Sequence, residues 1–176
     1  MIRKTFFTAV AAACALFCGI NASAQEVTPD GTYMFVKRDT CDLFLDLYKP
    51  TKGSETTFEG KQKPTIIFMF GGGFTSGVRD NPRYQIWFKQ MNDLGYSVIS
   101  IDYRLGLKGT SKVGVAQVNV LDKAIHMAVE DLFSATKFII ENEEQLGVDA
   151  DNLVISGSSA GAISVMQAEY ELANRT

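Results

Sequence analysis

The apolar run Asn152-Leu153-Val154-Ile155-Ser156 meets Gly157-Ser158-Ser159-Ala160-Gly161 and then opens onto Ala162-Ile163-Ser164-Val165-Met166-Gln167-Ala168-Glu169. This reads as strand, sharp turn and helix, with a serine at the apex. A turn so abrupt brings the strand and helix backbones together, and a Cβ at position 157 or 161 would clash. Ser159 is then held at a strained bend with its hydroxyl projecting outward, the setting that a G-x-S-x-G nucleophile elbow requires. Glycine and serine are common in any turn; the strand before and the helix after make Ser159 the candidate nucleophile.

The rest of the chain supplies a sheet for that turn to sit on. Residues 32–37 and 41–48 read as two strands of a hairpin around Arg38-Asp39-Thr40. In the second, Leu43, Leu45 and Leu47 alternate with Asp42, Phe44 and Asp46, a period of two with one face for the core. Cys41 falls in this pattern and is expected to be a buried, inert thiol. Residues 51–63 are polar and read as a loop ending at Pro64. Residues 65–70 are continuously apolar, as in a strand covered on both faces. A helix over 82–94 ends at Gly95, a second buried strand spans 96–101, and 102–114 is a glycine-rich loop. Residues 117–145 carry apolar side chains at spacings of three and four, from Val118 and Leu121 to Thr136 and Ile139. That spacing predicts one long helix with a single buried stripe, stopped by Gly147. The alternation implies an α/β fold, a mostly parallel sheet with helices on both faces and right-handed crossovers.

Phe70-Gly71-Gly72-Gly73-Phe74 closes the strand that begins at Thr65. Ligands of open α/β sheets bind beyond such strand ends. Consecutive glycines leave backbone N–H groups uncovered and able to point at a developing negative charge, as in an oxyanion hole. A dinucleotide fingerprint would need glycine where Ser76 stands, and a phosphate loop would need a lysine that is missing. Ala160, the residue after the candidate nucleophile, would supply a further amide.

Composition narrows the class. The chain has 176 residues, 46% hydrophobic and 21% charged, enough for one globular domain. Arg3 and Lys4, the uncharged stretch from Phe6 to Ile20 and Ala22-Ser23-Ala24 form a secretory signal pattern over residues 1–24, so the mature chain is expected to begin at Gln25 and to be secreted or periplasmic. The stretch is too short to span a membrane. Losing Arg3 and Lys4, with no acid, moves the formal charge from −3 to −5. Such mild acidity argues against nucleic acid as a partner. Cys41 alone then remains, which excludes an internal disulfide. No metal-ligand cluster is visible, and no cofactor is implied.

With the two glycine segments in place, the chain resembles the α/β-hydrolase superfamily, in its esterase/lipase, carboxylesterase-like branch with an H-G-G-G-type loop. The resemblance rests on Leu45-Asp46-Leu47-Tyr48-Lys49-Pro50, residues 70–74, Ile101-Asp102-Tyr103-Arg104-Leu105, Glu130-Asp131-Leu132 with Phe138-Ile139, and residues 157–161, in that order. It implies that Ser159 attacks an ester carbonyl to form an acyl-enzyme while the amides of Gly72, Gly73 and Ala160 hold the oxyanion. Asp102, Tyr103 and Arg104 would be structural. Phe70 stands where the family usually has a histidine that braces the loop.

The same resemblance calls for an acid and then a histidine after the serine. Neither follows Ser159 at the end of a later strand. The one histidine, His126, precedes it on the long helix with Asp122 and Glu130 four residues to either side, and reads as a surface side chain. A serine without a base is a poor nucleophile at neutral pH. Residues 25–176 are therefore expected to be the N-terminal portion of an α/β-hydrolase domain, truncated after the nucleophile helix and inactive alone. The substrate would be a small-molecule or carbohydrate ester. The alternative is a non-catalytic exported pseudo-hydrolase that binds a ligand or partner.

Overall fold

The computed structural model describes residues 27–110 and 118–174. The expected signal segment, 1–24, and the end of the glycine-rich loop, 111–114, lie outside the described residues. Two strands, β1 (Gly31–Lys37) and β2 (Asp42–Tyr48), form the expected hairpin, with Tyr33 opposite Leu45 and a bulge between Met34 and Val36. A small ribbon of β3 (Thr57–Phe58) and β4 (Lys61–Gln62) occupies the region read as loop. Next come β5 (Thr65–Met69), helix α1 (Pro82–Asp93), β6 (Ser97–Ile101), α2 (Val118–Glu141), the single turn α3 (Glu143–Leu146), β7 (Leu153–Gly157) and α4 (Ala160–Asn174).

The five long strands form one sheet in the order β1-β2-β6-β5-β7. It is parallel at β6-β5 and β5-β7, and antiparallel at β1-β2 and β2-β6. The expectation of a mostly parallel sheet is thus met only in the β6-β5-β7 half. A hairpin reverses direction within a few residues and must add its strands antiparallel, whereas parallel neighbours need a crossover. The crossovers from β5 to β6 and from β6 to β7 step in opposite directions, so right-handed connections put α1 and α2 on opposite faces.

Strand alternation then divides the core in two. Tyr48 and Phe68 face α1, where Phe68 lies 5.2 Å from the Phe88 ring and Tyr48 lies 5.0 Å from it. Leu45, Leu47, Ile67, Met69, Ile99 and Ile101 are fully buried on the other side. The face of β2 that was expected to be polar is also covered: Asp46 is buried, because Thr32 Oγ1 donates to it at 2.5 Å and Arg79 Nε lies 2.8 Å away. Cys41 departs from expectation in the opposite sense. It precedes the first ladder residue of β2 and is exposed.

Local signals set the helix ends. Asn81 caps α1 by accepting from Arg83 N at 3.0 Å, and Pro82 at the first position loses no hydrogen bond. The long helix is interrupted where it was expected to continue. Asn142 Nδ2 donates to Phe138 O at 2.8 Å and its N–H reaches back three residues to Ile139, breaking the ladder. Gly147, left-handed at φ 69°, closes α3 as expected. The buried stripe of α2 is Ala124, Ala128, Val129, Leu132, Ala135 and Ile139, with Asp131 among them, while Val118 is exposed. Small side chains let this helix approach closely: a Cβ on Gly106 would stand 2.7 Å from Ala124 Cβ.

Candidate active site

Parallel pairing sets Met69 beside Gly157, so the segments that leave β5 and β7 emerge side by side at one end of the sheet. The β7 segment turns at once. Ser158 N donates to Met69 O at 3.0 Å, Gly161 N to Ser158 O at 2.8 Å, and Ile163 N to Ser159 O at 3.0 Å. Ser159 is forced to φ 49°, a left-handed conformation that costs a non-glycine residue on the order of 1–3 kcal/mol. Its side chain is exposed. Both flanking glycines are needed, for separate contacts. A Cβ on Gly157 would stand 2.5 Å from the Gly161 carbonyl carbon, and one on Gly161 would overlap the carbonyl oxygen of Met69.

The β5 segment curls the other way. Gly72 at φ 148° and Gly73 at φ 63° turn the Gly72 carbonyl into its own loop, where Thr75 N (3.1 Å), Ser76 N (3.2 Å) and Thr75 Oγ1 (2.9 Å) donate to it. The amides are left on the opposite side. Among the described residues, those of Gly72, Gly73 and Ala160 donate to no protein acceptor. Gly71 brings this loop against the serine: a β-carbon on it would stand 2.9 Å from Ser158 O, 3.0 Å from Ser159 Cβ and 3.2 Å from the Tyr84 hydroxyl. Gly71 therefore lies against the serine turn.

Several side chains hold that loop. The buried Tyr103 hydroxyl donates to Phe70 O at 2.7 Å, and its ring stacks on Phe70 with centroids 4.5 Å apart. Burial raises the Tyr103 phenol well above its ordinary value, which keeps it protonated as a donor. Phe70, at the position of the family's bracing histidine, is thus itself braced by an aromatic partner. Leu107 N donates to Phe74 O at 2.9 Å, and Gly71 N donates to Tyr84 Oη at 3.1 Å. At the loop's far end Arg79 Nη1 donates to Asp102 at 2.7 Å, and Ser100 Oγ donates to Arg79 O. Burial raises the Asp102 carboxyl above the usual range, and the Arg79 charge opposes that shift.

Arg104 serves a second cluster. Asp131, fully buried on α2, accepts from Arg104 N (2.8 Å), Arg104 Nε (2.9 Å) and Arg38 Nε (3.1 Å). Glu130 also pairs with both arginines, and the Arg104 hydrogen bond holds its carboxyl below the usual range. This knot ties the β1-β2 turn and the loop after β6 to α2. Tyr84 does not stand out in the sequence, since a tyrosine on an amphipathic helix is ordinary until its partners are known; Asp131 belongs to a segment that carries the resemblance, but its arginine partners are not legible there.

His126 is half-exposed, with Nδ1 3.0 Å from Glu171 and Nε2 3.6 Å from Asp122. Glu171 lies eleven residues into α4 from Ala160, about 17 Å along the helix axis from the serine turn. His126 sits at that far end and does not reach Ser159. Among the described residues, no group of three His, Cys, Asp or Glu side chains is arranged to hold a metal, and no helix is long and apolar enough to cross a membrane.

Comparison with known proteins extends the picture. The BD-FAE family model matches residues 45–174. Gut esterase 1 of Caenorhabditis briggsae is 32% identical over 125 residues, 71% of this chain and 20% of that protein. Esterase FE4 of Myzus persicae is 34% identical over 125 residues, 70% of this chain and 20% of that protein. A thermophilic esterase from Thermogutta terrifontis superposes with a TM-score of 0.57 at 25% identity, over 81% of this chain and 44% of its own. The same organism's esterase 2 phosphorylated by paraoxon superposes with a TM-score of 0.56 at 26% identity, over 76% of this chain and 45% of its own. The chain spans about a fifth of the length of these curated relatives and under half of these structures.

Proposed function

The chain belongs to the BD-FAE family and has the α/β-hydrolase fold of its esterases, and on that premise we propose that it carries the nucleophile and oxyanion amides of a serine ester hydrolase. Ser159 Oγ attacks the carbonyl carbon of an ester. The oxygen that becomes negative in the tetrahedral intermediate accepts from the amides of Gly72, Gly73 and Ala160, and collapse expels the alcohol and leaves an acyl-serine. Water then attacks the same carbonyl and the same amides hold the second oxyanion. One such donor is typically worth about 3 kcal/mol in the transition state, more than it is worth in the ground state, because it is aimed before the charge forms.

One observation supports the reading: the loop of unengaged amides comes so close to the serine turn that a β-carbon on Gly71 would stand 3.0 Å from Ser159 Cβ. The chemistry also needs a general base. His126 is too far away, so the base is a group beyond the described residues. The substrate class is a small-molecule or carbohydrate ester. Export follows from Arg3, Lys4 and the apolar stretch to Ile20, and N-terminal sequencing of the mature protein should find Gln25 first.

A fluorophosphonate probe tests the assignment on the full-length protein. It should label wild type and fail to label Ser159→Ala; labelling that persists in the variant would falsify Ser159 as the nucleophile. A wild type that stays unlabelled, yet folds and binds a ligand, would favour the non-catalytic exported binder. The remoteness of His126, the lack of an acid and a histidine after Ser159 at a strand end among the described residues, and Phe70 in place of a histidine speak for that alternative.

A further inference from the structure

Tyr84 lies beside the glycine loop that meets the serine turn, and its hydroxyl is only half used. It stands on the first turn of α1, with its ring packed 4.9 Å from that of Phe68, so the phenol has little freedom to swing away. Its oxygen accepts from Gly71 N at 3.1 Å. Among the described residues the hydroxyl donates to no protein acceptor, although its hydrogen is free to do so. The space that a methyl group on Gly71 would fill is bounded by this oxygen at 3.2 Å and by Ser159 Cβ at 3.0 Å. The phenol oxygen and the serine β-carbon are therefore both near neighbours of Gly71, as is Ser158 O at 2.9 Å from the same point. Gly71 N–H is the amide next in sequence to that of Gly72, so the hydroxyl is bound to the loop that carries two of the proposed oxyanion donors.

We infer that Tyr84 is a further catalytic residue of the ester hydrolysis proposed above: its O–H donates to the carbonyl oxygen of the reacting ester as that oxygen becomes negative. The inference rests on that reading. No bond to Tyr84 forms or breaks; the phenol keeps its proton throughout. The bond it accepts from Gly71 N polarises the O–H and makes it a better donor, since hydrogen bonds in a chain reinforce one another. A side chain thus joins the backbone amides of Gly72, Gly73 and Ala160. This also accounts for why Gly71 turns its own N–H to the tyrosine and leaves the next two amides free.

The test uses the full-length protein, with wild type and Ser159→Ala compared first on p-nitrophenyl acetate at pH 6, where phenols are protonated. If hydrolysis does not depend on Ser159, the esterase reading fails and takes this inference with it. If it does, Tyr84→Phe should lower kcat about 100-fold, the usual scale for losing one side-chain oxyanion donor, with KM within threefold of wild type. Tyr84→Phe also deprives Gly71 N of its acceptor, so a second series separates the two roles. Replacing Tyr84 by 3-fluorotyrosine and 3,5-difluorotyrosine strengthens the O–H as a donor and weakens the oxygen as an acceptor. A donor role predicts that kcat holds or rises along this series. A fall along it would show that the phenol merely holds Gly71, and would overturn the inference whether or not Tyr84→Phe folds. A Tyr84→Phe protein within threefold of wild type in kcat would overturn it equally.

Discussion

Asp131→Ala should be the most damaging single change that leaves the serine pocket untouched. The carboxylate has no solvent exposure and sits between two guanidinium groups, those of Arg38 and Arg104, while also accepting the Arg104 backbone N–H. Removing one member of a buried ion cluster strands the others, which typically costs about 3–5 kcal/mol. Two features of this site move the figure within that range. Glu130 remains to pair both arginines, but its side chain is 57% exposed and solvent weakens what it can offer, so it relieves only part of the loss. The orphaned Arg104 N–H adds a desolvation cost of about 1 kcal/mol or more. We therefore expect about 3–4 kcal/mol. Urea unfolding of the full-length protein at neutral pH reads the change, with an unchanged m-value showing that stability and not compactness has moved. Glu130→Ala, the control, should cost under about 1 kcal/mol because its partners are shared and its carboxyl is half in water. If Asp131→Ala lies within 1 kcal/mol of wild type, or if Glu130→Ala costs as much, the knot is not organised around the buried acid and the argument is wrong.

Other consequences can be checked on the same protein. Gly161→Ala drives a methyl group into the Met69 carbonyl and should cost about 2–3 kcal/mol and lower the soluble yield; a variant with wild-type stability would mean the elbow can relax away from β5. Tyr103→Phe removes the donor to Phe70 O and should cost about 1 kcal/mol, with a drop in kcat larger than any change in KM, as steady-state kinetics would show. The carboxyl of Glu130 is depressed in the fold, so its contribution is present above the unfolded carboxylate range, around pH 4.3, and is lost as pH falls through the folded value. Asp102, raised by burial, acts in the opposite sense and gains as pH falls. Glu130→Gln should accordingly flatten the acid limb of a stability-versus-pH curve, and an unchanged limb would show that other groups control it. Cys41 should react with a thiol reagent in the native protein and Cys41→Ser should abolish that reactivity; protection until unfolding would contradict its exposed position.

The backbone shape of the candidate site was legible along the chain because the constraints on it are local. A serine at a bend between strand and helix needs glycines on both sides, and a triple glycine at a strand end leaves its N–H groups uncovered by side chains of its own, although that of Gly71 is taken by Tyr84. Both facts follow from covalent geometry and from the absence of a Cβ, whatever the rest of the protein does. Element order, the hairpin and the ends of α1 and α3 were legible for the same reason: period, proline, capping asparagine and glycine act within a few residues. The interruption at Asn142 was missed because a side chain competed with the helix ladder, a contest of two close energies that apolar spacing does not register.

Tertiary structure alone decided which distant groups meet. Asp46 and Asp131 became interior residues because arginines more than thirty positions away arrived beside them. Cys41 became a surface residue because the ladder starts one position later. Tyr84 acquired its place beside Gly71 only when α1 folded back over Phe68. Burial and partnership are properties of the packed sheet: a polar side chain is worth what its neighbours make it, and those neighbours come from segments that no local pattern connects.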